Sequence, residues 1–539
     1  MKTNKFLVIV LIFLNIEGAY SEKCGADKLK IKPKQLDLES QNKKNLASSN
    51  SYTPIKIGFD FTSFTKPSSM SSSTFSQIKA ILKETRKEFS KILQVQHENI
   101  YLTNFKEAIM TNCGINTIAN DYSNFLVNND LIIFAMFASL EGGEFASANH
   151  CLTRGSRPIA GVLLINSNFT FERTNMNLYL KNILFHEIIH ILGFNPETLK
   201  EKNMMQTINS VTYVNSPNVL NKAKSYFGFS AINGVPLEDQ NGTIGYHWES
   251  RYMLGDCMIS PDFPEVSISD MTLALLEDTG FYKVNYYSGG IFKFGKNKGG
   301  DFLVKNLVEN NKATFKEFCV TKDEAQCSSS RSFKSSCYGY QKDEPYEENS
   351  SKNYYQNHCK YGTSELPSFY GEKIGSDSLC FMSSLIPTSS GEEETNQIPI
   401  CYQAQCSSNN LKIKIGSESF ICPTNGGSFT PSGFKGSITC PKYSDICSSN
   451  IICNEMFNCF TQLAIKDNYN YEVSYCDYEG MVYEYDYGEE GDDDWFDPTE
   501  FDDDNDSGGR RKNSGLIGWK IALIVGSLVL VKVKNNHEN

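Results

Sequence analysis

The sequence predicts an α+β fold of helices laid on a sheet, followed by a disulfide-rich C-terminal domain. Three observations predict it. Residues 131–138 (LIIFAMFA) and 161–166 (GVLLIN) are continuous apolar runs of strand length. Residues 77–95 set Ile78, Ile81, Leu82, Phe89 and Leu93 on one face of a helix that can cover such strands. From about residue 286 the apolar runs shorten, and thirteen of the seventeen cysteines lie between Cys319 and Cys476. That cysteine usage belongs to an oxidising compartment, with disulfides supplying part of what a core would otherwise supply.

Taken in order, residues 1–21 read as a signal peptide: Lys2 and Lys5 precede an apolar run over 6–16, and Ala19 and Ser21 suit cleavage. Residues 22–52, rich in Lys, Ser and Asn, read as a propeptide. Structure begins near Ile55, where IKIGFDF alternates like a strand. One subdomain spans 53–190 and a second 191–285. Residues 178–194 (LYLKNILFHEIIHILGF) predict a helix apolar on most sides and therefore buried, with Gly193 as its C-cap. Residues 195–245 look irregular. Residues 269–281 predict a further helix, with Ser269 or Asp270 as N-cap and Gly280 as its stop. Residues 286–480 form the cysteine-rich domain, with modest regular structure.

The net charge of −12 is local. Residues 484–506 hold thirteen acidic side chains and no basic one, so the rest of the chain is near neutral and has no electrostatic footprint for nucleic acid. Residues 481–514 read as an acidic, solvated stalk. Residues 515–531 are apolar apart from Lys520 and read as a membrane attachment, followed by a polar tail, 532–539. Two forms compete. Ser507, Gly508 and Gly509 before a spacer and an apolar tail suit a glycolipid anchor signal, whereas the lysine-containing tail suits a single-pass helix. Sequons at Asn168, Asn241, Asn349 and Asn505 agree with lumenal exposure.

His186-Glu187-Ile188-Ile189-His190 is an HExxH motif on a predicted helix. A spacing of four residues is just over one turn, so both imidazoles leave one face and can fill two corners of a zinc tetrahedron. Glu187 then stands beside the metal position without being a ligand. The alternative, two incidental histidines in a buried helix, leaves polar rings without partners. A catalytic zinc takes three protein ligands and keeps one open position. Of the seven histidines, His97 follows a helix in a polar context, His150 adjoins Cys151 in a loop, His358 lies among the cysteines and His537 in the tail. His247 is the third ligand favoured here, because Met258 follows at a short interval and a helix follows that.

HEIIHILGF, then His247, then Met258, resembles the metzincin zinc peptidases. A long insertion between the glycine and the third histidine marks the leishmanolysin family, and RPIAGVLLIN, HWESRYMLGDCM and LALLEDTGFYKVN are similar to it as well. The resemblance covers residues 53–290. It implies a metzincin-like catalytic domain with a mixed sheet and an active-site helix. It also implies one Zn2+ per chain on His186, His190 and His247, Glu187 as catalytic base, and Met258 as the Met-turn residue beneath the ligands. The implied activity is endopeptidase cleavage of extracellular or surface proteins, and the family adds a role in cell adhesion. A substrate chain is expected to lie extended along a sheet edge.

The family also uses a propeptide cysteine to fill the open zinc position, a part that falls here to Cys24; disulfide bonding of Cys24 is the competing reading. Without Cys24, sixteen cysteines can form eight pairs. Cys113 and Cys151 flank the 131–138 strand and suit one of them, and Cys257 then needs a C-terminal partner or stays a buried thiol. A surface binding protein that keeps the fold without catalysis is the rival class. The intact set of Glu187 and three histidines argues against it.

Overall fold

The computed structural model describes residues 34–35 and, with breaks, 51–478; the longer breaks fall at 99–103, 123–127, 170–175, 261–265, 319–324, 338–351 and 448–454. The signal peptide, Cys24, the acidic run and the apolar C-terminal segment lie outside the described residues.

A five-stranded mixed sheet carries the first half. Strands β1 (Lys34–Gln35), β3 (Ile57–Asp60), β5 (Leu131–Ala138), β6 (Ala146–Arg154) and β7 (Arg157–Asn166) are ordered β1-β6-β7-β5-β3, with β2 (Tyr52–Pro54) outside it. β3, β5 and β7 run parallel, whereas β6 is antiparallel to β7. The reversal is made in two residues, Gly155 and Ser156, both with positive φ (51° and 67°), the backbone twist that a tight hairpin requires. β1 adds to the outer edge of β6, Lys34 opposite Leu152 and Gln35 opposite Thr153.

Two long helices pack with this sheet. Helix α1 (Ser72–Ile92) starts at Ser71, whose hydroxyl accepts from the Thr74 amide. After the short α2 (Phe105–Asn112) comes α3 (Met176–Leu192), the helix of the HExxH motif. α1 and α3 meet through the stacked rings of Phe89 and Phe185, 4.5 Å apart. α3 lies so close to the sheet that a Cβ on Gly161 would stand 2.5 Å from Ile191 Cγ2. α1 ends earlier than its apolar stripe predicts. Leu93–Gln96 instead forms β4, pairing with β2 and with β11 (Tyr282–Val284), because LQVQ alternates with period two and buries Leu93 and Val95.

Residues 195–245 are not irregular. They form α4 (Pro196–Glu201), the hairpin β8 (Met205–Ile208) and β9 (Val211–Val214), α5 (Pro217–Phe227) and β10 (Val235–Pro236). The hairpin turns at Asn209 and Ser210, both with positive φ, and α5 opens on a proline and closes on Gly228 at φ 69°. The short α6 (Ser250–Met253) and then α7 (Asp270–Asp278) follow, α7 capped by the Ser269 hydroxyl on the Thr272 amide.

The cysteine-rich region holds more regular structure than expected. Its core is a six-stranded antiparallel sheet in the order Glu418–Cys422, Asn410–Ile415, Ile398–Ser407, Ser378–Ser383, Ile438–Cys440, Gly427–Phe429. Disulfides join Cys327 to Cys380, Cys359 to Cys401, Cys406 to Cys447 and Cys422 to Cys440, and Cys459 is also disulfide-bonded. The chain then returns to the first half. Helix Met456–Lys466 sets Phe457 and Phe460 against Phe185 in the main core, and Tyr478 exchanges backbone hydrogen bonds with Phe59 and Phe61 on the free side of β3. Cys113 pairs with Cys151 as expected. Cys257 has no C-terminal partner: it is a free, buried thiol.

Candidate metal centre

α3 carries His186, Glu187 and His190 on its last two turns, all buried. The one-turn spacing brings the two Nε2 atoms to 3.0 Å. His247 arrives from the segment between β10 and α6, its ring centroid 5.3 Å from His186 and 5.1 Å from His190. One ligating atom from each of the three lies within 4.8 Å of the others, the only such group of three metal-ligating side chains among the described residues. The spread suits a single ion held by three imidazoles.

The main chain aims two of the rings. His186 Nδ1 is 2.5 Å from the Cys257 carbonyl and His190 Nδ1 is 2.8 Å from the Phe194 carbonyl. Each Nδ1–H donates to its carbonyl, which leaves Nε2 as the lone-pair nitrogen. The Phe194 carbonyl is in reach because the chain turns sharply at Gly193, whose φ is 131°. Asn195 secures that turn, donating to the His190 carbonyl at 2.9 Å while its side-chain oxygen accepts from the Thr198 amide. Asn195-Pro196 is an N-cap followed by a proline at N1, so this role carried a readable signal.

His247 is held by strand-like bonds. The Glu238 amide donates to the His247 carbonyl at 3.0 Å, the Trp248 amide to the Met258 carbonyl at 2.9 Å, and Trp248 bridges Leu237 on one side and Ile259 on the other. The Trp248 indole donates to Thr272 Oγ1 at 2.8 Å. Thr272 donates to the Asp256 carboxylate at 2.9 Å, which also accepts from the Met258 and Ser269 amides. Met258 is buried beside Cys257, the residue whose carbonyl engages His186. Asp256 and Glu238, absent from the sequence reading, are thus built into the support of the site.

Burial favours the uncharged, ligating form of the rings. Desolvation, with the nearby His247 adding, lowers the His186 pKa to about 3. Desolvation also takes His190 well below 6.5. His150 is not in a loop: it is buried on β6, its pKa lowered by desolvation to about 4, and its Nδ1 meets the Asn195 side chain at 3.1 Å. His97 pairs with Asp130 at 2.8 Å and His358 ends a strand of the cysteine-rich region. His97 does not join the cluster. Cys24 and His537 lie outside the described residues.

The family model for leishmanolysin matches residues 76–453. The leishmanolysin homolog of Crithidia fasciculata is 27% identical over 393 residues, covering 64% of this chain and 60% of its own. The ciliated left-right organizer metallopeptidase of Danio rerio is 28% identical over 348 residues, 57% of this chain and 53% of its own. Leishmanolysin of Leishmania tropica is 23% identical over 367 residues, 60% and 55% respectively. The chain therefore spans somewhat over half the length of each of these relatives.

Proposed function

The chain belongs to the leishmanolysin family, and on that premise we propose that it is a zinc-dependent metalloendopeptidase. His186, His190 and His247 hold one Zn2+, and Glu187 is the general base. The observation that carries this reading is the convergence of three buried imidazoles on one point. The donor set fits zinc: nitrogen ligands in neutral form, with the second nitrogen of two rings engaged by main-chain carbonyls. Three protein ligands leave one position for substrate or water, the arrangement of a catalytic rather than a structural site.

Zinc bound there supplies Lewis acidity toward a carbonyl oxygen and toward water. The chain's own residues do the rest. Glu187 takes a proton from the attacking water on a carboxylate oxygen and delivers it to the leaving amine nitrogen. The buried surroundings of the helix keep competing water from the rings. Met258 acts as the Met-turn residue of a metzincin-like fold, and the mixed sheet with its antiparallel β6 supports that assignment. The substrate is a protein or peptide chain that adds in extended form to the outer edge of β6, an edge already able to pair with β1.

The disulfides fit a secreted or cell-surface protein. Membrane attachment through residues 515–531 and a latency switch at Cys24 belong to the same proposal. Among the described residues no helix is long and apolar enough to cross a membrane.

The test is casein hydrolysis by the purified protein, with and without a zinc chelator, beside Glu187→Ala. Chelator-sensitive hydrolysis by wild type is expected, and Glu187→Ala should keep one zinc per chain while losing about a hundredfold or more in rate. Wild type that folds and binds zinc but cleaves nothing would favour a binding protein that retains the fold.

A further inference from the structure

The three histidines differ in what fixes their second nitrogen. His186 and His190 are aimed by main-chain carbonyls, those of Cys257 and Phe194, which no side-chain substitution removes. Both also sit on a helix whose own geometry presents them. His247 lies outside any helix. Its Nδ1 faces a side-chain carboxylate: Glu238 Oε2 is 3.3 Å away, and the two side chains are only 3% and 14% exposed.

The carboxylate is brought there by backbone register. Leu237 and Trp248 form an antiparallel bridge, and next to it the Glu238 amide donates to the His247 carbonyl at 3.0 Å. Glu238 and His247 are therefore cross-strand neighbours, joined through the main chain and with their side chains facing each other across 3.3 Å. A carboxylate facing Nδ1–H selects the tautomer whose lone pair is on Nε2, holds the ring plane, and raises the basicity of the ligating nitrogen.

We propose that Glu238 is the positioning residue for His247, and that the zinc affinity of the site depends on it. This rests on the reading that His247 ligates zinc.

The test uses the full-length protein as wild type, Glu238→Gln, Glu238→Asp, Glu238→Ala and His247→Ala. Zinc dissociation constants are measured by competition with a chromogenic chelator. The visible absorption of the Co2+-loaded protein reports the ligand field, and the urea midpoint of the zinc-free protein controls for folding. Glu238→Gln should weaken zinc binding about tenfold and Glu238→Ala nearer a hundredfold. The cobalt bands should shift, Glu238→Asp should recover part of the loss, and the zinc-free urea midpoint of Glu238→Gln should stay at the wild-type value. Wild-type affinity in both Glu238→Gln and Glu238→Ala would overturn the proposal. So would a loss of affinity that merely tracks a fall in the zinc-free midpoint, with unchanged cobalt bands. Zinc binding by His247→Ala as tight as wild type would overturn this proposal together with the three-histidine reading. Loss in His247→Ala alone leaves that reading standing and removes only the role of Glu238.

Discussion

Asp256→Asn probes the support beneath the site. The Asp256 carboxylate is buried and accepts from the Met258 amide at 2.8 Å, the Ser269 amide at 2.9 Å and Thr272 Oγ1 at 2.9 Å. Desolvation outweighs those hydrogen bonds, so its pKa is raised from 3.8 to about 6. An acid whose pKa is higher folded than unfolded keeps its proton in the native state over that window, while the unfolded chain has released it. Its contribution to stability is therefore full below pH 3.8 and is lost as the pH rises to about 6. A shift of about two units corresponds to about 3 kcal/mol. Asparagine cannot titrate, so the stability of wild type relative to Asp256→Asn should fall by about 2 kcal/mol between pH 4 and pH 7, the rest of the effect lying below pH 4. The assay is urea unfolding of the zinc-free, disulfide-intact protein at each pH, followed by near-ultraviolet circular dichroism; removing zinc keeps metal release out of the comparison. A difference flat in pH, or one that grows in favour of wild type as the pH rises, would refute the reasoning.

Gly234→Ala should be far costlier than Gly228→Ala, although both glycines have positive φ. A Cβ on Gly234 would stand 2.4 Å from the Val214 carbonyl oxygen, whereas one on Gly228 meets nothing nearer than 3.9 Å. Losses of about 3 kcal/mol and about 1 kcal/mol are expected in unfolding free energy, and equal losses would show that the close approach to β9 does not constrain the turn. Replacing Cys113 and Cys151 together by serine opens a loop closed across 38 residues. By chain entropy this lowers stability by about 4 kcal/mol, and an unchanged denaturation midpoint under non-reducing conditions would contradict it.

The parts of the fold legible in sequence are those whose pattern admits one reading. Residues 131–138 became β5 with the expected bounds because an eight-residue apolar run buried from both sides has no helical alternative at that length. The end of α1 was misplaced because Leu93 satisfies the helical stripe and the strand alternation at once, and only pairing with Tyr282–Val284 decides between them. In the cysteine-rich region Asn410–Ile415 alternates exposed and buried residues along its whole length. That alternation is a strand signal, which the density of cysteines around it obscures.

At the site, His186 and His190 declare themselves by a one-turn spacing, and His247 by the methionine and helix that follow it. Glu238 does not. Its approach to His247 depends on the bridge between Leu237 and Trp248, which no local periodicity announces. Asp256 is hidden for the same reason, its partners lying 2 to 16 residues away across a turn.

The return of Asp477 and Tyr478 to β3 bears on how the chain is made. Asp477 accepts from the Phe59 amide across 418 residues of sequence and meets the Arg86 guanidinium on α1. A ribosome that has completed Phe59 needs roughly 20 to 80 s more to reach its partner, at about 5–20 residues per second. Throughout that interval β3 offers bare amides and carbonyls to any extended polypeptide nearby. The sheet therefore stays open on that side until Asp477 and Tyr478 have been made, and those two residues act as the seam that closes it.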